Sequence, residues 1–394
     1  MMRVASYAVR CGLCTCLTLC ISAGVTVPGC TSSLRPANTL AYIPDAVRAN
    51  DDSNARIAFK TWVLYPGRDV LTFDPLVRLL CGDEAWNADI DLDRGTSFCV
   101  PRPTIPATPA EVARGSDSQS PQPPFRVLNR GTGGGSSGFV GCDATGRKFL
   151  FKLDDPSWPG LGTSADLIGA RILGALGYRV PPIHLVAVTG TGDPELEGRR
   201  ACAALFIENS RGHFRFDWFR YRREVRALRI ASAWINDVDR GGRNNLVVEE
   251  DGRVVCYLID FNSCLGSWQG RPKEPWRGWQ HEGDPRWTIL RTASLGLLHP
   301  GPDPRQPIVS PAVGRFDADF DPLAWLPQSP NTAFDHLTPA DLRWIADRIR
   351  ALERPHIEAI VAAAHLPRPE DAAYLIETLL ARRQRILDLA DAPR

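Results

Sequence analysis

Asp239 and Asn244 lie in the polar run Asn236-Asp237-Val238-Asp239-Arg240-Gly241-Gly242-Arg243-Asn244-Asn245, and Asp260 closes the apolar stretch Val254-Val255-Cys256-Tyr257-Leu258-Ile259. Two carboxylates and an amide in this order suit phosphoryl transfer. That chemistry needs a carboxylate to orient an attacking hydroxyl and oxygen ligands to hold Mg²⁺ against phosphates. Asp239 fits the first task, and Asn244 with Asp260 the second. The alternative is a polar turn rich in Asx motifs beside a buried strand.

Upstream stands Gly131-Thr132-Gly133-Gly134-Gly135-Ser136-Ser137-Gly138. Glycines let a backbone approach phosphate oxygens closely and leave amide N–H groups free to bond them. Gly133, Gly135, Gly138 and Val140 fit a Gly-x-Gly-x-x-Gly-x-Val spacing, so Gly133, Gly134, Gly135 and Ser136 are candidate nucleotide-binding residues. Lys152, on a following strand, is expected within reach of the same ligand, and Asp166 joins the set. For Asp166 the alternative is a carboxylate favoured near a helix N-terminus by the helix dipole. Gly134-Gly135-Ser136-Ser137-Gly138 also fits the Gly-x-Ser-x-Gly elbow of serine hydrolases. An elbow or a dinucleotide fingerprint should open a helix, whereas Phe139-Val140-Gly141-Cys142 reads as a strand. No Gly-Lys-Ser/Thr Walker loop occurs, and the seven histidines contain no His-x3-His pair for a zinc protease.

The elements that must position these groups follow from periodicity. Phe125 to Leu128, Phe139 to Cys142 and Lys148 to Leu153 read as strands, with a turn at Asp143-Ala144-Thr145-Gly146. A helix is expected from Ser164, as its cap, to Leu176, with Gly177 as its stop. A second helix runs from Arg222 to Ile235, and a hairpin turning at Glu250-Asp251-Gly252 delivers Asp260. Residues 271–335, rich in Pro, Gly and Trp, read as a long irregular excursion, with Trp276, Trp279 and Trp287 as a candidate partner surface. Thr338-Pro339-Ala340-Asp341 is a helix N-cap with proline at the first position, and two or three amphipathic helices then run to the end.

Bulk properties are those of a soluble globular chain: 44% hydrophobic and 23% charged residues. A net charge of +1 gives no general electrostatic reason to bind nucleic acid or an acidic membrane. Arg3 and Arg10 precede an uncharged stretch from Cys11 to Cys30, the layout of a secretory signal. The clustered cysteines there lack a nearby histidine and sit in apolar sequence, which argues against metal binding. Val27-Pro28-Gly29-Cys30 resembles a lipobox, which would make Cys30 the lipidated residue; a plain signal peptide or an uncleaved anchor is the alternative. On an exported chain, Cys81 and Cys99 are the first candidates for a disulfide, with buried thiols as the alternative.

Taken in order, these motifs resemble a family of uncharacterised bacterial exported proteins and lipoproteins with a protein-kinase-like fold, distantly similar to the HipA-type and CotH-type kinases. Phe149 to Leu153, Ala175-Leu176-Gly177-Tyr178, Ala233-Trp234-Ile235-Asn236, Tyr257 to Phe261, Leu265-Gly266-Ser267, Pro272-Lys273-Glu274-Pro275 and Tyr374 to Leu379 carry the likeness, over roughly residues 107–390. The resemblance implies Lys152 as the phosphate-binding lysine, Asp239 as the catalytic base, and Asn244 and Asp260 as metal ligands. Three departures stand out. Asp166 occupies the place of a longer glutamate, so a poor reach to Lys152 is expected; Asn262 replaces a glycine; Gly241 replaces a lysine, leaving Arg240 or Arg243 to supply its charge.

The expected fold is α+β and two-lobed, protein-kinase-like, with an N-terminal extension and a helical C-terminus. Its parts are a signal peptide with a possible lipobox (1–30), a tether and extension (31–117), a small lobe (118–207) with a hinge near Phe206 to Asn209, and a large lobe (208–394). The expected activity is ATP-dependent phosphotransfer with Mg²⁺ or Mn²⁺ to a protein or small-molecule acceptor, not to nucleic acid. The expected location is exported, membrane-anchored through an N-terminal lipid, in the periplasm or at the outer membrane face. ATP is scarce there, so a catalytically inactive binding or scaffold module is the alternative, as is nucleotidyl transfer at the same site.

Overall fold

The computed structural model describes residues 98–394, apart from 101–106, 117–118, 132–134, 221, 251–252, 300, 303–304, 306 and 394. The expected leader, Cys30, and the Cys81 half of the suggested disulfide lie outside these residues.

After a short helix, α1 (Pro109–Arg114), come strands β1 (Arg126–Arg130), β2 (Gly138–Cys142) and β3 (Lys148–Leu153). Helix α2 (Leu161–Ala175) follows, then β4 (Ile183–Ala187) and β5 (Arg200–Leu205). The strands form one antiparallel sheet in the order β1-β2-β3-β5-β4. In β3, side chains alternate between the two faces. Phe149, Phe151 and Leu153 pack on one face with Phe125 and Phe139, where Phe139 and Phe151 stack at 4.5 Å between centroids. Lys152 takes the other face, opposite Gly138 and Cys202 in the ladder. Helix α2 covers that face, burying Leu167, Ile168, Ile172 and Leu173.

Helix α2 starts at Leu161 rather than at a Ser164 cap. Its first amides are satisfied from the preceding loop: the Asp154 carboxylate accepts from Gly160 N and Thr163 N, each at 2.9 Å, and from Thr163 Oγ1 at 2.8 Å. Gly160, at φ 85°, makes the left-handed entry that few other residues tolerate. Ser164 is thereby left inside the helix, its hydroxyl accepting from Arg200 Nη2 at 3.0 Å.

The second half of the chain is built on helix α3 (Arg223–Trp234), followed by the hairpin β6 (Asn245–Glu250) and β7 (Arg253–Leu258) and a small ribbon, β8 (Ser267–Trp268) with β9 (Arg271–Pro272). Segment 271–335 is not wholly irregular. It carries α4 (Pro285–Ala293) and α5 (Thr332–Asp335), because Asp284 and Asn331 each accept a hydrogen bond from a first-turn amide. Helices α6 (Pro339–Arg350), α7 (Arg354–Ala363) and α8 (Pro369–Asp391) complete the chain. At the start of α6 the Thr338 hydroxyl accepts from Asp341 N at 3.2 Å while the Asp341 carboxylate accepts from Thr338 N at 2.9 Å, a reciprocal cap. Helix α8 braces the end of α3: Trp234 Nε1 donates to Leu379 O at 2.9 Å, and Arg382 donates to the carbonyls of Ala233 and Trp234.

Phe151 anchors the sheet's outer core. Phe151→Ala is expected to cost about 3–5 kcal/mol, measured as a lowered melting temperature and denaturant midpoint. A loss below about 1 kcal/mol would show that this face is not a packed core.

Candidate functional site

Three elements, β3, α2 and the end of β7, bring their polar residues to one point. Lys152 Nζ lies 3.0 Å from Asp166 Oδ1 and 2.8 Å from Asp260 Oδ1. The poor reach expected of Asp166 does not occur, because α2 approaches the Asp260-Phe261-Asn262 segment closely. A Cβ added at Gly169 would lie 2.7 Å from Cys264 Sγ and 3.1 Å from Phe261 Cβ, so only glycine allows this spacing. Asp166 Oδ1 also accepts from Phe261 N at 2.8 Å. Since α2 begins at Leu161, Asp166 is beyond its first turn, and the dipole alternative does not account for its place. Its other oxygen, Oδ2, is buried with no hydrogen-bond partner among the described residues.

Charge explains how these groups titrate. Burial alone would lower the pKa of Lys152, but the Asp166 and Asp260 carboxylates outweigh it and hold the pKa above the ordinary lysine value. Burial raises Asp166 despite the attraction of Lys152. Asp260 is also pushed up by burial, yet the charge and hydrogen bond of Lys152 bring it below the usual carboxylate range.

The loop after α3 supplies the remaining candidates. Burial, then the negative charge of Asp260, push Asp239 up to about 7 against a hydrogen bond from Asn244. Asn244 Nδ2 also donates to the Asp239 carbonyl at 2.7 Å, closing the loop on itself. Arg240 is fully buried. It donates to Asp237 Oδ2 at 2.8 Å, to the carbonyls of Asn244 and Ile259 at 2.6 and 2.9 Å, and to that of Asp260 at 3.3 Å. The suggestion that Arg240 stands in for the lysine missing at Gly241 is therefore wrong: its guanidinium is consumed in holding the loop to the end of β7. Arg243 is solvent-exposed.

Of the glycine-rich run, Gly133 and Gly134 lie outside the described residues. Gly135 and Ser136 arrive at the same point. Asn262 Nδ2 donates to the Ser136 hydroxyl, and a Cβ at Gly135 would collide with the Gln269 side chain in the β8–β9 turn.

Sequence reasoning passed over Asp237, Gln269 and the role of Lys273. Lys273 is buried, and its Nζ donates to the carbonyls of Asn236 and Leu265, tying the start of the loop to the segment after Asp260. The Asp237-x2-Arg240 spacing was a signal for the first; nothing local marks the partners of the other two.

Asn244 and Asp260, the expected metal ligands, can each offer oxygen, which suits a hard divalent cation. Burial raises Asp239 first and repulsion from Asp260 second, and the second is the kind a cation relieves. Among the described residues no cluster of three or more His, Cys, Asp or Glu side chains is placed to hold a metal. The expected pair, Asp260 and Asn244, supplies one carboxylate and one amide.

No family model and no curated protein matches the chain. Among solved structures the chain is similar to a Helicobacter pylori proinflammatory kinase, CtkA, at 12% identity and a TM-score of 0.39, over 68% of this chain and 94% of that one. It is also similar to HipA of a Shewanella oneidensis toxin–antitoxin system, solved with HipB and operator DNA, at 11% identity and a TM-score of 0.33, over 71% and 68%. Both neighbours have kinase-like folds. At those scores the reading of the site rests on its own side chains.

Because the pKa of Asp239 is raised on folding, its ionised form destabilises the native state. The penalty is absent below the unfolded value, grows as pH rises from about 4 to 7, and is complete above 7. Asp239→Asn is expected to be more stable than the parent by about 2–4 kcal/mol at pH 8, with the gap closing toward pH 4. Melting curves across that range test it; a gap that does not vary with pH would overturn the assignment.

Proposed function

We propose that this chain is a kinase-like phosphotransferase that uses ATP with Mg²⁺ or Mn²⁺. The observation that carries the reading is the buried Lys152 held between Asp166 and Asp260, with Asp239 close enough to feel the charge of Asp260. Bound ATP and its metal would supply the phosphoryl group and neutralise charge on its oxygens. Asn244 and Asp260 would hold the metal, and Lys152 would bond phosphate oxygens. The peptide amides of the glycine-rich run, Gly133, Gly134, Gly135 and Ser136, would line them. Asp166 keeps Lys152 charged and aimed. Asp239 accepts the proton of an acceptor hydroxyl, and a pKa near 7 suits a general base at neutral pH. In this reading the acceptor is a protein or a small hydroxyl compound, and the chain is held at a membrane face through Cys30.

One observation favours a second reading, a nucleotide-binding module without turnover: Arg240, next to Gly241 in the loop, is already committed to Asp237 and three carbonyls.

Thermal-shift titration of the full chain with ATP and Mg²⁺ or Mn²⁺ tests the site. A metal-dependent rise in melting temperature is expected, equivalent to about 2.7 kcal/mol at a hundredfold excess over Kd, and lost in Asp260→Ala. No shift at millimolar ATP would sink the nucleotide site. With binding in hand, the mass gained by an acceptor separates phosphoryl from nucleotidyl transfer. Asp239→Asn, which should still bind, is expected to lower turnover by about 10²–10⁴-fold.

A further inference from the structure

Helix α4 and the turn that follows it expose an unusual amount of apolar surface. None of the residues of α4 is buried. Ile289, Leu290, Leu295, Leu297 and Leu298 are 67%, 43%, 93%, 84% and 53% exposed. The other large apolar residues exposed among those described, such as Leu128 and Leu323, lie far apart in the chain. Scattered single residues of that kind are ordinary, but a contiguous group marks a contact surface.

The backbone adds a second observation. Leu295 sits at φ 53°, a conformation that a leucine adopts only where its surroundings impose it. Hydrogen bonds from Gly296 N to Arg291 O at 2.7 Å and from Leu297 N to Ser294 O at 3.1 Å fix the turn. The chain thus holds in place a leucine that its own core does not use.

Charge identifies the partner. From Pro285 through Pro302 there is no Asp or Glu, while Arg286, Arg291 and His299 are exposed. Arg286 pairs with Asp284, the helix cap, at 2.7 Å. Apolar side chains flanked by arginines, with Trp287 half-buried beside them, are the composition of an element lying in a lipid–water interface. A helix without a buried side chain presents a ridge. A fluid bilayer conforms to a ridge, whereas a folded partner would need a matching cleft.

We propose that residues 285–298 form a membrane-contact element that seats its leucines in the surface of an anionic lipid bilayer. The contact is separate from any lipid on Cys30 and does not depend on the phosphotransferase reading.

Hydrogen–deuterium exchange of the full chain, followed peptide by peptide with vesicles present, reads this locally even if the N-terminus also binds them. Phosphatidylglycerol-rich vesicles are expected to slow exchange in 285–298 about tenfold or more, and neutral phosphatidylcholine vesicles much less. The pair Leu295→Glu and Leu297→Glu should abolish the protection without changing the melting temperature, since both side chains are exposed; Arg291→Glu should weaken it. Three results would each overturn the proposal: no protection with either vesicle, equal protection with both, or protection that grows with protein concentration alone. The last would identify a second copy of this chain as the occupant.

Discussion

A lysine ammonium beneath a sheet is tolerated only where negative charge meets it, because desolvation of an unpaired cation costs several kcal/mol. Lys152 is buried, and the two carboxylates it touches come from elements far apart in the chain, Asp166 on α2 and Asp260 at the end of β7. That contact links the sheet to the second half of the molecule. It also obliges α2 to lie close to Phe261, which is why position 169 carries no side chain. Asp239 lies near enough to this cluster that, after burial, the charge of Asp260 helps to raise its pKa. An orphaned buried oxygen on Asp166 and a carboxyl on Asp239 whose pKa burial raises to about 7 both cost the fold stability.

Two buried basic side chains hold the backbone around this cluster. Arg240 and Lys273 bond mainly to carbonyls, and Asn236 and Asp260, at φ 51° and 60°, are residues that those bonds constrain. Non-glycine residues persist in such conformations when their surroundings over-determine them. The helices α3, α6 and α8 supply that surrounding. Arg226 of α3 pairs with Asp341 of α6 at 2.8 Å, and Arg382 of α8 reaches back to the last carbonyls of α3. A change in the C-terminal helices can therefore act on the loop that carries Asp239 without touching it. By contrast, α4 buries none of its residues and is only weakly tied to the core.

Much of this architecture could be written down from local pattern. The alternation Phe149-x-Phe151-x-Leu153 assigns Lys152 to the opposite face of its strand whatever the fold. Thr338-Pro339-x-Asp341 specifies a helix start through its own side chains, and the hairpin before Asp260 follows from two apolar runs around a polar turn. The order of glycine run, lysine, Asp239, Asn244 and Asp260 is likewise a property of the chain, so these candidates could be named without coordinates. The α2 start was misplaced because its amides are capped by Asp154, in the preceding loop, rather than by a residue at the helix boundary.

Arg240 shows where local pattern runs out. In sequence it is one exposed-type charge in a polar loop; folded, it is consumed by Asp237 and by carbonyls from the loop and from the end of β7. Backbone carbonyls look the same at every position of a sequence, so no spacing rule could have found them. The same holds for the reach of Asp166, which is decided by how closely α2 approaches Cys264, and for the exposure of Leu295 and Leu297. Residue type, order and strand parity belong to the sequence, because they depend on covalent neighbours. Distance, burial and charge balance were decided only by the tertiary structure, because they depend on segments that meet after a hundred residues of intervening chain, as Lys152 and Asp260 do.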